Sequence, residues 1–435
     1  MRSELRHICR SAVHVLAVCC GACAADGNRL PARGFVGGTE VETTVDSEPA
    51  RYFLARQTPG VTPDPVLEAV IHRARAEFRG SRAAIALPRI AREVSPDFAV
   101  LLLAERLLED ENSATIRRLY AEELDETAHG RAVPLDASEY TVLFAPGWLY
   151  RSHPETGAGF ERQLGLAPEM GVQAERIESD ENASIEHNAL AIAEEIRNRR
   201  ATGRRYIVVS ASKSGPEVAL ALAMLSSDEA AHVSAWVNIA GVLGGSPLVD
   251  DALVAPRCWA ALALFGWRRW GLDGMESMST RVRRSALGEI HLPEHVLVVN
   301  YVPLPLSGQV SPRARGGYDG MRPQGPNDGL ALTVDEIFPG GATLVEIGLD
   351  HYMSAPDIDR RTVALTRAVL RQIASRAAAH AWPRTPRNGG VEDGVLGQSR
   401  GLACNGAQRS GPGRSDEIRN STSMVADLTS ICRPR

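Results

Sequence analysis

Residues 206–216 read Tyr206-Ile207-Val208-Val209-Ser210-Ala211-Ser212-Lys213-Ser214-Gly215-Pro216, and this stretch decides the fold. Its first four residues are β-branched or aromatic, as a buried strand favours. Pro216 stands where a helix opens, because its missing N–H costs nothing in a first turn. Small residues flank Ser212-Lys213, so the backbone can turn sharply from strand to helix and lift the Ser212 hydroxyl above the end of a sheet. That turn would help a serine in two ways. The following helix lends the positive end of its dipole, and the amide of the next residue, Lys213, points to where an oxyanion would develop.

Two rivals exist on the same residues. Ser214 could be the nucleophile, since Ser212-x-Ser214-x-Pro216 mimics the pattern, but this puts a proline where a small residue is needed. The run Ser210-Ala211-Ser212-Lys213 also satisfies the S-x-x-K of penicillin-recognising enzymes. That chemistry needs a second lysine in a K-T-G segment, and Lys213 is the only lysine in the chain.

Outward from this turn, short apolar runs alternate with helical periodicity. Strands are expected at 140–144, 174–177, 206–209, 233–239, 296–300 and 343–347, and helices at 159–164, 185–199, 216–225, 329–337 and 358–376. Repeated βαβ units give an α/β fold, a mostly parallel sheet covered by helices on both faces. Sites in such sheets lie at the carboxyl ends of the strands. After the first strand comes the turn Ala145-Pro146-Gly147-Trp148-Leu149-Tyr150. A later polar loop ends Gly325-Pro326-Asn327-Asp328-Gly329-Leu330, and the last strand runs into Gly348-Leu349-Asp350-His351-Tyr352. Serine, then acid, then histidine is the chain order that an open parallel sheet of this kind requires. Of the 11 histidines, His351 alone stands directly after the last strand; His291 and His295 precede a strand, and His153 and His187 lie in segments that can approach the site. Asp319 and Asp350 are alternatives to Asp328 as the acid, although Asp350 is too near in sequence to swing onto its neighbour's imidazole.

On these residues the chain resembles the α/β-hydrolase superfamily, in particular bacterial esterase/lipase-like members whose elbow reads Ser-Lys-Gly and whose acid loop reads Asn-Asp-Gly-Leu. The resemblance covers roughly residues 140–379. It implies a catalytic triad of Ser212, His351 and Asp328, and an acyl-enzyme route for carboxylic esters without a cofactor. The turn after the first strand lies where these enzymes carry a His-Gly loop, which implies Trp148 as second oxyanion donor beside Lys213, with Leu149 as the alternative. The chain departs from the pattern at Ser210 and Ser214, where glycines are usual, and at Pro146, where a histidine is usual. An acyltransferase or amidase would use the same triad, and the substituted glycines leave room for a non-catalytic exported binding protein of this fold.

The 435 residues are 44% hydrophobic and 23% charged, enough for a large core, and the net charge of -5 offers nothing to neutralise phosphates, so no nucleic-acid partner is expected. The expected partner is a small-molecule or lipid ester. Residues 1–25 combine Arg2, Arg6 and Arg10 with an apolar run over 11–20 and end on Ala24-Ala25, the layout of a signal peptide, so the protein is expected to be exported to the periplasm or beyond. Cys19, Cys20 and Cys23 lie where a lipoprotein carries its acylated cysteine, but Gly21-Ala22-Cys23 is a degenerate lipobox and membrane association by lipidation is not favoured. Cys258, Cys404 and Cys432 give neither a disulfide framework nor metal-ligand spacing.

Residues 26–137 are expected to form an N-terminal extension, with a strand at 50–55 and three or four amphipathic helices over 64–128. The α/β-hydrolase-like catalytic domain is expected to span 138–380. An insertion at 251–290, rich in tryptophan (Trp259, Trp267, Trp270) and arginine, is either a lid or an ordinary packed excursion. Residues 381–435 are rich in Gly, Ser and Arg and are expected to be disordered. Asp180-Glu181-Asn182 reads as the cap of the helix at 185, and Asp250-Asp251 as a solvated pair or, at most, weak calcium ligands.

Overall fold

The computed structural model describes residues 29–80, 83–131, 135, 137–254 and 272–381. The segment expected to be a signal peptide, with its four cysteines, the tryptophan-rich stretch 255–271 and the tail from 382 lie outside the described residues.

The first described elements form an antiparallel hairpin of β1 (Leu30–Val36) and β2 (Thr39–Val45). Its two-residue loop is Gly37-Gly38, at φ 55° and 82°, and glycine is there because both positions need the left-handed region. Next comes α1 (Glu48–Ala55), at the place where the sequence suggested a strand. A short apolar run such as Tyr52-Phe53-Leu54 suits either state, and the cap decides. The Ser47 hydroxyl accepts from the Ala50 N–H at 3.3 Å and Pro49 occupies the first turn. The helices α2 (Pro65–Gly80), α3 (Ala83–Glu93), α4 (Pro96–Leu108) and α5 (Ala114–Ala128) fill the region expected to be helical. The hairpin and α1 to α4 share one apolar core, which also takes in Leu304 and Leu306.

The central sheet has six parallel strands: β3 (Tyr140–Ala145), β4 (Gln173–Arg176), β5 (Arg205–Ala211), β6 (Val233–Ile239), β7 (Leu297–Leu304) and β8 (Ala342–Ile347), in the order β4-β3-β5-β6-β7-β8. Side chains alternate between its faces. Ile207 and Val209 of β5 pack with Val142, Phe144, Val237 and Val299 under α5 and the long C-terminal α10 (Ile358–Ala381). The intervening Tyr206 and Val208 pack with Leu143 and Trp236 under α6 (Ile185–Arg199) and α7 (Ser214–Ala223). Each fully buried aliphatic of this kind is worth about 1.5–3 kcal/mol, and burial on both faces is why β5 reads as an unbroken apolar run. The architecture is the α/β-hydrolase fold.

The segment after β6 forms α8 (Pro247–Val254), and the chain re-enters the described region at the short helix Leu272–Glu276, followed by α9 (Thr280–Leu287). No described helix is long and apolar enough to cross a membrane. Two local expectations are corrected. The helix at 185 is capped by Ser184, whose hydroxyl accepts from the His187 N–H at 3.2 Å, while Asp180 and Glu181 serve the loops before it. The stretch 329–337 is no helix: it turns at Gly329, bridges Asn327 to Leu332 and makes one 3-10 turn, Thr333–Asp335. The Asp328 carboxylate takes the Leu330 and Ala331 amides, each at 2.8 Å, and this local capture competes with helix formation.

Candidate active site

Ser212 sits at φ 57° between β5 and α7. Its N–H donates to the Ile239 carbonyl at 3.1 Å, and its own carbonyl accepts from Gly215 and Val242, so the turn is tied to both the helix and the end of β6. Gly215 is required by space: a Cβ there would come within 2.7 Å of Gly241 Cα and 2.8 Å of Asn238 Oδ1. The serines in the usual glycine positions have partners of their own. Ser210 Oγ accepts from the Trp236 indole N–H at 2.8 Å. Ser214 Oγ accepts from the Ala211 N–H at 2.9 Å and donates to the Ala145 carbonyl at 2.7 Å. Ser214 is thus buried and engaged in joining the turn to β3, which leaves Ser212 as the serine at the apex.

The loop after β3 lies against this apex. Gly147 approaches so closely that a Cβ on it would sit 3.1 Å from the Ala211 carbonyl and 3.7 Å from Ser212 Cβ. Trp148 follows, and Leu149 adopts φ 56°. Among the described residues, neither the Trp148 amide nor the Lys213 amide donates a hydrogen bond. The Lys213 side chain turns away from the apex into the protein, where Nζ meets Glu217 Oε1 at 2.5 Å with both side chains 2% exposed. Asn188 donates to the same carboxylate at 2.9 Å.

Across the strand ends, Asp328 is fully buried and His351 Nδ1 donates to its Oδ2. The His351 backbone N–H also donates to the Asp328 carbonyl, at 3.0 Å. A carboxylate can only accept, so Nδ1 carries the proton and Nε2 keeps its lone pair free for a base's work. Burial works to lower the basicity of the imidazole, but the charge and hydrogen bond of Asp328, helped by Asp350, outweigh it and leave the pKa raised. Asp350 itself is occupied with the loops, accepting the Ser311 N–H at 2.7 Å and the Tyr352 N–H at 3.1 Å. Asp319 lies 3.9 Å from Arg322. His295 caps the amino end of β7 through the Ala230 carbonyl, and His291 and His187 are exposed. His153 is 3.0 Å from Glu155.

The two halves meet in one apolar cluster. Trp148 packs with Val242, Val249, Met275, Met278 and Ala331, and Ala331 is the residue whose amide holds Asp328. Backbone strain gathers here as well. Of the five described non-glycine residues at positive φ, four (Leu149, Ser212, Ala240 and Met353) lie in the loops that leave β3, β5, β6 and β8 at their carboxyl ends. Each costs roughly 1–3 kcal/mol, and such strain persists where the surroundings over-determine it.

One buried acid has no sequence signal. Glu336, in the loop between Asp328 and β8, is fully buried and lies beside the Asp328 carboxylate. The sequence shows only another acid after Asp335 in a polar loop.

No family model matches the chain, and no curated protein matches it. Among solved structures it is similar to a metagenomic carboxyl esterase at 22% identity and a TM-score of 0.44, over 57% of this chain and 80% of that one. It is similar also to a Bacillus licheniformis lipase. The mature form of that lipase shares 19% identity over 56% of this chain and 94% of the lipase, with a TM-score of 0.42. The propeptide form shares 21% over 51% and 48%, with a TM-score of 0.43. At these identities the chemistry has to be argued from this chain's own residues.

Proposed function

We propose that the protein is a serine hydrolase of carboxylic esters, with Ser212 as nucleophile, His351 as general base and Asp328 as the acid that orients it. The observation that carries this reading is the imidazole–carboxylate pair at the same end of the sheet as a serine held on a left-handed turn. In the first step His351 Nε2 takes the Ser212 proton while Oγ attacks the ester carbonyl. The tetrahedral intermediate collapses, His351 returns the proton to the leaving alcohol, and Ser212 is left acylated. Water, deprotonated by the same nitrogen, then releases the acid. Asp328 keeps the proton on Nδ1 and stabilises the imidazolium.

The Lys213 and Trp148 amides are the oxyanion donors in this scheme, each worth about 3 kcal/mol of barrier. Their lack of any other acceptor among the described residues supports the assignment. The partly buried Trp148, packed on an apolar cluster beside the strand ends, favours an ester with a hydrocarbon acyl or alcohol group.

Hydrolysis of p-nitrophenyl acetate, butyrate and palmitate, run beside covalent labelling with a fluorophosphonate probe, tests the reading. Ser212→Ala is expected to abolish labelling and lower kcat by about 10⁴–10⁶-fold. Wild-type protein that neither labels nor turns over any of the three esters would overturn the assignment.

A further inference from the structure

Glu336 ends the 3-10 turn Thr333–Asp335, and its backbone is fixed on both sides. Its N–H donates to the Thr333 carbonyl at 3.2 Å, and its carbonyl accepts from the Asn238 side-chain amide at 2.8 Å. The carboxyl is fully buried, and among the described residues neither of its oxygens meets a donor. What it faces is the Asp328 carboxyl. The next charge, Asp335, is already neutralised by the Arg284 guanidinium at 2.7 and 3.0 Å. His351 donates a hydrogen bond from Nδ1 to the same Asp328 carboxylate.

Two neighbouring carboxyl groups that are both fully buried, with no cation paired to either among the described residues, cannot both be ionised, because an uncompensated buried charge costs several kcal/mol. The environment decides which of them keeps its proton. Asp328 receives two backbone amides and the imidazole, all of which favour its anion, and Glu336 receives nothing. Burial, then the Asp328 charge, then Asp335 push the Glu336 pKa well above the ordinary glutamate range. One proton on Glu336 supplies the donor that both side chains lack, and the contact becomes an O–H to carboxylate hydrogen bond.

We propose that Glu336 is a positioning residue of the site: a carboxylic acid kept neutral, donating its proton to Asp328 and so holding that carboxylate towards His351. This rests on the serine-hydrolase reading for its consequence, though not for its protonation. The proton is not transferred during turnover. Its task is to help fix the direction of the Asp328 anion and to share its charge.

The test compares two replacements. Glu336→Gln keeps the shape and a neutral donor, whereas Glu336→Leu removes the donor. Glu336→Leu is expected to lower kcat for p-nitrophenyl butyrate at least 10-fold with KM unchanged, and to slow fluorophosphonate labelling equally. Glu336→Gln is expected to stay within a few-fold of wild type. At alkaline pH the wild type is expected to lose activity as Glu336 ionises against Asp328, a decline that Glu336→Gln lacks. A glutamine variant as impaired as the leucine one, or a leucine variant with wild-type kcat, overturns the proposal.

Protonation is read without activity in the Ser212→Ala background, by melting temperature against pH. An acid whose folded pKa is raised contributes stability that is present at low pH and lost as pH rises through the folded value. Glu336 should therefore impose a decline with rising pH that Glu336→Gln removes. Superposed curves overturn the proposal even if ester hydrolysis is confirmed, and separated curves uphold the neutral acid even if no ester is cleaved.

Discussion

Buried Asp97 beside half-buried Asp46, where the N-terminal helices meet the loop after β7, is one carboxyl pair, and buried Asp328 and Glu336 at the strand ends are another, yet Asp97 and Glu336 are built on opposite principles. Asp97 is surrounded by donors: the Ser307 N–H at 2.8 Å and the Tyr318 hydroxyl at 3.3 Å on one oxygen, the Ser307 hydroxyl at 2.6 Å and the Asp46 N–H at 2.8 Å on the other. Asp46 in turn takes the Arg322 guanidinium at 2.7 Å. These bonds fasten the hairpin and α4 to the loop that leads towards Asp328, and every one joins structural parts. Glu336 has no such donors, and its neighbour touches the histidine. Burial alone therefore does not mark a functional acid; the supply of donors around it does. The same contrast covers Lys213, which is buried at the elbow but paired with Glu217, a carboxylate that also accepts from Asn188.

The largest effect that could break this contrast lies at Asp328. Asp328→Asn keeps the shape but presents a donor to His351 Nδ1, which favours the wrong tautomer, and kcat/KM for p-nitrophenyl butyrate is expected to fall by about 10⁴-fold. The pH profile sharpens the point. Because Asp328 raises the His351 pKa, wild-type activity should fall off in acid with a midpoint above the ordinary histidine value of about 6.5. In the residual activity of Asp328→Asn that midpoint should move down. A loss of less than tenfold with an unmoved midpoint would show that another acid orients the histidine.

Lys213→Met comes next, and its effect is on stability. Removing the cation strands Glu217, whose pKa burial already raises, and the expected cost is about 3–5 kcal/mol in urea unfolding. Lys213→Met with Glu217→Gln should recover much of it, since no charge is then left unmatched. If the single variant is as stable as wild type, the ion pair is not a matched buried pair and the distinction drawn from donors fails.

Much of this was legible from the chain. The run 206–209, the small residues around Ser212, and the order of Asp328 and His351 after later strands identify the sheet and the candidate residues, because each rests on local geometry with few alternatives. The hairpin was legible in principle from Gly37-Gly38 between alternating residues, and α1 from Ser47 and Pro49, but Tyr52-Phe53-Leu54 suits a strand as well as a helix. The turn at 329–337 was not legible, since its shape depends on a side chain, Asp328, capturing the amides that a helix would use. Glu336 could not be found at all. Its environment is assembled from Asn238 on β6 and Asp328 on a loop, and nothing local distinguishes it from Asp335, which reaches Arg284 instead.

Asp97→Asn probes the other pair. Its side chain would turn an amide towards the donors that the carboxylate accepts, at a cost of about 2 kcal/mol. Burial and Asp46 push the Asp97 pKa up to about 6, so the stability this group contributes is present at low pH and lost as pH rises through about 6. The gap in melting temperature between wild type and Asp97→Asn should accordingly narrow from pH 5 to pH 7.5. Ester hydrolysis by the folded variant should stay within a few-fold of wild type, which separates this pair from the one at the site.

Ser214→Gly, the smallest of these changes, asks whether the departure from the usual glycine weakens the elbow or supports it. The Ser214 hydroxyl bridges β3 to the turn through Ala145 and Ala211, so glycine there removes two short bonds from a buried place and loosens the first turn of α7. The expected loss is about 1–2 kcal/mol of stability. The apex itself is fixed independently, by the Ile239 carbonyl and by the approach of Gly215 to Gly241, so hydrolysis at 25 °C should change less than threefold. A variant that gains both activity and stability would mean that serine is a compromise at this position; loss of stability with activity retained would mean that the hydroxyl took over part of the bracing of a strained turn.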